Sequence, residues 1–169
     1  GASAFGLEDF DRVVSYWQMG AKEYQTVGSK WGETTSNANL AEAMVALGDL
    51  KNGKAHAEHA LALAREMNNL EMIGAALTNL ASIAMLDENF IEATKFAEEA
   101  LSSHQQVGHD AHIANALAVL AKIAFKQNNH GESRQLLEES IGILKRVGNH
   151  LYLEQRTQEL NEVLSTQNP

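Results

Sequence analysis

The side chains in this sequence that could do chemistry are its imidazoles and carboxylates. Seven histidines are present, and His56 with His59 and His109 with His112 have the i, i+3 spacing that places two rings on one helix face. Such a pair offers two ligands to a zinc-like ion. A site also needs a third donor and groups that orient the rings, and the HExxH pattern is absent. The spacing therefore predicts solvent-facing or helix-terminal histidines and no metal site. Glu98-Glu99 and Glu138-Glu139 could in principle act as acid and base, but they recur at the same place in two segments, which predicts a solvated helix face. Gly48, Gly53, Gly142 and Gly148 are isolated and form no phosphate-binding loop. There is no cysteine, so disulfides, thiolate nucleophiles and cysteine-based zinc sites are excluded. The expectation is a protein without catalytic residues, cofactor or metal.

Composition narrows the elements that carry these residues. The chain has 169 residues, 44% hydrophobic, with 22 acidic and 13 basic side chains and a net charge of -9. That is enough apolar material for a sizeable core and too much for a disordered chain. The acidic balance argues against a nucleic-acid surface, whose affinity rests on neutralising phosphates. No apolar run approaches the roughly 18 residues of a membrane span. The single proline stands last, leaving the rest free to be helical. A cytoplasmic, all-α protein is expected. Gly1-Ala2-Ser3 reads as an expression scar without an apolar leader.

The strongest pattern is a repeat. Leu40-Ala41 recurs as Leu80-Ala81 and Leu120-Ala121, a spacing of 40 that also relates Ala57 to Ala97, Leu61 to Leu101 and Ile141, and Ile83 to Ile123. Gly28, Asn68, Gly108 and Gly148 share one register. Glycine and asparagine tolerate the left-handed conformation that closes a helix, so this register predicts four helix ends. Between them the apolar residues follow helical spacing. Met72, Ala76, Leu77, Leu80, Ala81 and Ala84 mark one helix, and Phe90, Ala93, Phe96, Ala97, Ala100 and Leu101 a second, separated by the polar break Asp87-Glu88-Asn89. Each unit is thus an antiparallel helix pair, and stacked pairs share one continuous core.

These residues resemble the tetratricopeptide repeat (TPR) family in a lengthened, 40-residue form. The second unit carries the family's pattern of small and apolar positions as Leu77, Leu80, Ala81, Ala84, Ala93, Ala97 and Ala100. The first has polar Asn37 at its leading slot, and the third has Ser133, Leu137 and Ser140 on its second helix. The resemblance implies a TPR solenoid, an α-α superhelix of three full repeats (29–68, 69–108 and 109–148) flanked by a half repeat at 4–28 and a capping helix at 149–169. Ala4-Phe5 aligns with Ala124-Phe125, the end of a first helix, so the chain is expected to be a fragment of a longer protein. The helix over 10–27, with Phe10, Val13, Val14, Trp17, Ala21 and Val27, would then lack a partner and leave a Trp17 face open to a homodimer. Gln155, Arg156, Gln158 and Glu159 make the last helix a solvating cap.

The resemblance also places function on the concave surface lined by the first helix of each pair. The family's groove positions fall on Thr35, Ala38, Glu42, Val45 and Ala46; on Ala75, Thr78, Ser82, Met85 and Leu86; and on Asn115, Ala118, Lys122, Phe125 and Lys126. Val45, Met85, Leu86 and Phe125 are apolar where the core does not require it, and Lys122 and Lys126 add positive charge one turn apart. Asn39 and Asn79 share a register beside the groove, where similar repeats hold a ligand backbone with amides. The expected ligand is a partner peptide or helix with apolar anchors and acidic groups. The charge split agrees, since residues 1–110 carry 7 basic and 16 acidic side chains while residues 111–169 carry 6 of each. A clamp for a chaperone's terminal carboxylate is not expected, because Ala38, Glu42, Asn115 and Val119 occupy its positions. The leading reading is a non-catalytic protein-protein interaction module within a larger regulatory or signalling protein. An effector- or peptide-sensing domain and an oligomerisation module are the alternatives.

Overall fold

The computed structural model describes the backbone of residues 4–167 and the side chains of residues 12–166. Eight helices follow one another: α1 (Ala4–Thr26), α2 (Lys30–Ala46), α3 (Leu50–Glu66), α4 (Leu70–Leu86), α5 (Phe90–Val107), α6 (Asp110–Lys126), α7 (His130–Arg146) and α8 (His150–Gln167). The repeat has a simple origin. From α2 onward the helices start every 20 residues, at 30, 50, 70, 90, 110, 130 and 150, so the 40-residue unit is two helical segments of equal length.

The turns enforce this period. Gly28, Asn68, Gly108 and Gly148 all have positive φ, as the sequence register predicts. A second register, Gly48, Glu88 and Asn128, does the same at the other helix ends, inside what the sequence shows only as polar breaks. Beyond each of these residues a backbone N–H returns to the closing helix, for example Asn89 N–H to Ala84 O at 2.8 Å. Such 6→1 bonds satisfy carbonyls left orphaned at a helix end. Asn89 then accepts from Glu92 N–H as the N-cap of α5, so one residue both ends a helix and begins the next. Ser29, Asp49, Asn69 and Asn129 cap α2, α3, α4 and α7 in the same way.

Consecutive helices pack side by side, and α2, α4 and α6 also touch one another along one face of the stack. The core between them is built from small residues. Ala41, Ala57, Ala60, Ala76, Ala97 and Ala100 are wholly or almost wholly buried, with Leu40, Leu77 and Leu80 filling the layers between. Close approach of the helices depends on those alanines, because extra methylenes there would overpack.

Three expectations need correction. The chain is helical without a break from Ala4 to Thr26, so Ala4-Phe5 does not end a separate helix; the side chains of Ala4, Phe5 and Phe10 lie outside the described residues. Trp17 is half-buried against Val14, Leu40 and Ala43, and the exposed aromatics at this end, among the described residues, are Tyr16, Tyr24 and Trp31. Arg156 is only 4% exposed, so α8 is not a purely solvated cap.

Candidate functional site

The four first-position helices, α2, α4, α6 and α8, enclose a groove of about 520 Å3. Glu42 and Val45 enter it from α2, Thr78, Asn79 and Ser82 from α4, and Asn115, Val119 and Lys122 from α6. Tyr152, Gln155 and Arg156 close it from α8, and His104 of α5 reaches its wall beside His112. A second, mostly apolar pocket of about 140 Å3 lies next to it between α6, α7 and α8. Met85, Phe125, Leu137 and Val163 line it, with Lys122, Lys126, Glu159 and Glu162 at its margin.

Of the sequence-predicted residues, Glu42, Val45, Asn79, Ser82, Asn115 and Lys122 therefore meet in the groove. Met85, Phe125 and Lys126 meet in the adjoining pocket. Asn39 is half-buried and Leu86 exposed, and neither lines either space. The apolar residues are also less free than expected. Val45 packs on the cluster around Leu77, Met85 on that around Ile123, and Phe125 on Leu137 and Val163.

Several polar groups are already committed. Asn79 donates its amide to Ala38 O at 3.1 Å, tying α4 to α2. Lys122 Nζ lies 3.1 Å from Glu159 Oε1, so its charge is largely offset. Arg156 Nη1 reaches both oxygens of the same carboxylate at 2.8 and 2.6 Å, while its Nη2 donates to Asn115 Oδ1 at 3.2 Å. Two cations share one carboxylate, and the lysine pair does not make the simple basic patch that the sequence suggests. Among the described residues, Lys126 and Glu42 make no ion pair. The sequence reading misses Tyr152, Gln155 and Arg156, although Tyr152 and Gln155 stand 40 residues after His112 and Asn115 and the same register would have found them.

The histidines are not simply solvent-facing. His56 Nδ1 meets Asn37 Oδ1 at 2.9 Å, and His59 Nε2 meets Glu33 Oε1 at 2.8 Å, so this pair ties α3 to α2. His104 is 2% exposed, its Nδ1 has no hydrogen-bond partner, and its ring stacks on His112 with centroids 5.0 Å apart. Burial holds the His104 imidazole down to about 4, with His112 and His109 adding to the shift and the Gly74 backbone opposing it. Burial also lowers His112, assisted by His109 and opposed by Glu71. No described helix is long and apolar enough to cross a membrane.

Residues 72–146 match the tetratricopeptide repeat family model. The fold is similar to that of BtubC (BKLC) from P. vanneervenii, with a TM-score of 0.70 and 16% identity over 95% of this chain and 75% of that one. It is also similar to nearly identical TPR-like repeats, described as kinesin light chain, from Podosopora anserina. A single-substitution variant of those repeats aligns with a TM-score of 0.57 and 16% identity over 95% of this chain and 98% of that one. Another structure of these repeats gives 0.56 and 14%, over 94% and 98%. No curated protein matches the sequence.

Proposed function

We propose that this chain, whose residues 72–146 match the tetratricopeptide repeat family, whose repeats generally mediate protein-protein interaction, is a non-catalytic module holding a segment of a partner protein in the α2–α4–α6–α8 groove. The observation that carries this reading is the groove itself, a continuous space of about 520 Å3 with hydroxyl, amide and charged groups contributed by four helices. Side chains that both donate and accept, such as Thr78, Ser82, Asn115 and Gln155, suit the polar backbone of an extended peptide. The pocket bounded by Met85, Phe125 and Val163 has room for one aliphatic anchor. The charge preference differs from that read in the sequence. With Lys122 and Arg156 engaged by Glu159, an acidic group fits only beside Lys126, and a basic group fits beside Glu42. The partner is accordingly of mixed charge, with its acidic end toward α6 and α8. Regulation or signalling is the context such a module would serve.

A displayed peptide library screened against the protein and a Ser82→Arg variant tests this. Ser82 is half-buried on the groove wall, and its hydroxyl bonds only to Thr78 O within its own helix, so arginine blocks the groove and leaves the core untouched. We expect selected peptides to lose at least about tenfold in affinity, or ~1.4 kcal/mol, with an unchanged helical spectrum. Peptides that bind both proteins equally would place recognition elsewhere. Phe125→Asp is unsuitable as a probe, since Phe125 also supports Leu137 and Val163.

A further inference from the structure

Glu71, in the first turn of α4, and the pair His109 and His112, at the start of α6, bring one ligand atom each to within 4.8 Å of one another. We infer that these three residues form a binding site for a single divalent transition-metal ion of the zinc, nickel or copper class, bridging α4 and α6 at the edge of the groove. This inference is independent of the peptide-binding proposal.

The chemistry selects the ion. Two imidazoles and one carboxylate suit zinc, nickel or copper, whereas magnesium and calcium require oxygen ligands throughout. Bonds of about 2.0–2.1 Å to a tetrahedral ion place its ligand atoms roughly 3.4 Å apart, so side-chain rotations close the present separation. Three protein ligands leave a fourth position for water or a ligand group. The positive end of the α6 dipole disfavours a cation, and the Glu71 carboxylate supplies the offsetting charge. Asp110, next to His109 in the chain, is paired with Arg146 at 3.5 Å.

A second, independent observation lies behind His112. The His104 ring stacked on it is 2% exposed and carries a nitrogen without a partner, which a helical core does not need. The helix start adds a third. Six other helices open on a Ser, Asp or Asn whose side chain accepts a cap hydrogen bond, while α6 opens on His109, which makes none. The residue at this position sacrifices a cap and gains a ligand. The second pair behaves differently, because His56 is already bonded to Asn37 and His59 to Glu33.

Calorimetric titration of the metal-stripped protein with zinc chloride, beside magnesium chloride, decides the matter. We expect one equivalent of zinc to bind and raise the thermal midpoint, with magnesium silent. Glu71→Gln and His112→Asn should each weaken binding by about tenfold or more, and His59→Gln should leave it unchanged. His109→Asn is the clearest variant. It installs the residue type that caps α4, α5 and α7, so the metal-free midpoint should rise while zinc binding is lost. Absence of saturable zinc binding to the unmodified protein, or full affinity retained in His109→Asn and His112→Asn, would overturn the inference. Neither result would bear on peptide binding in the Ser82→Arg comparison.

Discussion

Gly74 and His104 occupy complementary space: a Cβ built on Gly74 would lie 2.7 Å from both ring nitrogens of His104. The buried imidazole exists because residue 74 has no side chain. Forty residues on, the same two positions hold Ala114 and Leu144, which pack together in one cluster. Forty residues earlier the two positions hold Thr34 and Ala64, so a large ring at the second position is matched by a glycine at the first only in the second repeat.

Gly74→Ala therefore should not deliver the gain of about 1 kcal/mol that helix propensity alone would give. The clash with an enclosed ring costs ~1–3 kcal/mol, so the net expectation is destabilisation in urea unfolding. Combining it with His104→Leu recreates the Ala114–Leu144 pair and should restore or exceed the original stability. A stable Gly74→Ala single variant would show that the ring can move, and would refute the packing account.

The same ring makes stability depend on pH. His104 is depressed from 6.5 to about 4 in the folded chain, so between those values the unfolded chain binds the additional proton. The contribution is fully present above pH 6.5 and is lost as pH falls toward 4. Its size is up to about 3 kcal/mol. Burial shifts His56 and His112 in the same direction. Unfolding free energies measured with chelator from pH 7.5 to 4 should fall steeply in the wild type. In His104→Leu the slope should be visibly shallower, and an equal slope would mean that His104 is not the group responsible.

How much of this was legible beforehand depends on sequence distance. The 40-residue period and the left-handed residues at Gly28, Asn68, Gly108 and Gly148 were readable because each is a local conformational requirement repeated in register. Groove positions on α2, α4 and α6 came from the resemblance to the tetratricopeptide repeat family, carried along the same register. What the sequence hid are relations between repeats. Lys122 looks like free charge until α8 docks and brings Glu159 to 3.1 Å. Arg156 looks solvated until the same docking buries it against Asn115. Glu71 lies too far along the chain from His109 and His112 to be seen as their companion, and only stacking α4 on α6 unites them.

The polar Asn37, which breaks the repeat pattern, has its explanation in a compensating partner. At the positions of Asn37 and His56 the second repeat holds Leu77 and Phe96, which pack together in the core. In the first repeat a hydrogen bond of 2.9 Å replaces that apolar contact. Asn37 is 5% exposed, so neither partner can be removed without leaving a half-buried or buried polar group unpaired. Asn37→Leu should cost about 1–3 kcal/mol by stranding His56 Nδ1, and His56→Phe should cost a similar amount by stranding Asn37 Oδ1. The double variant Asn37→Leu/His56→Phe rebuilds the contact of the second repeat and should return close to wild-type stability. A double-mutant cycle by chemical denaturation would then give a coupling of about 1 kcal/mol or more. Additive losses would mean that the two residues are independent, and that the polar pair is not a substitute for the leucine–phenylalanine contact.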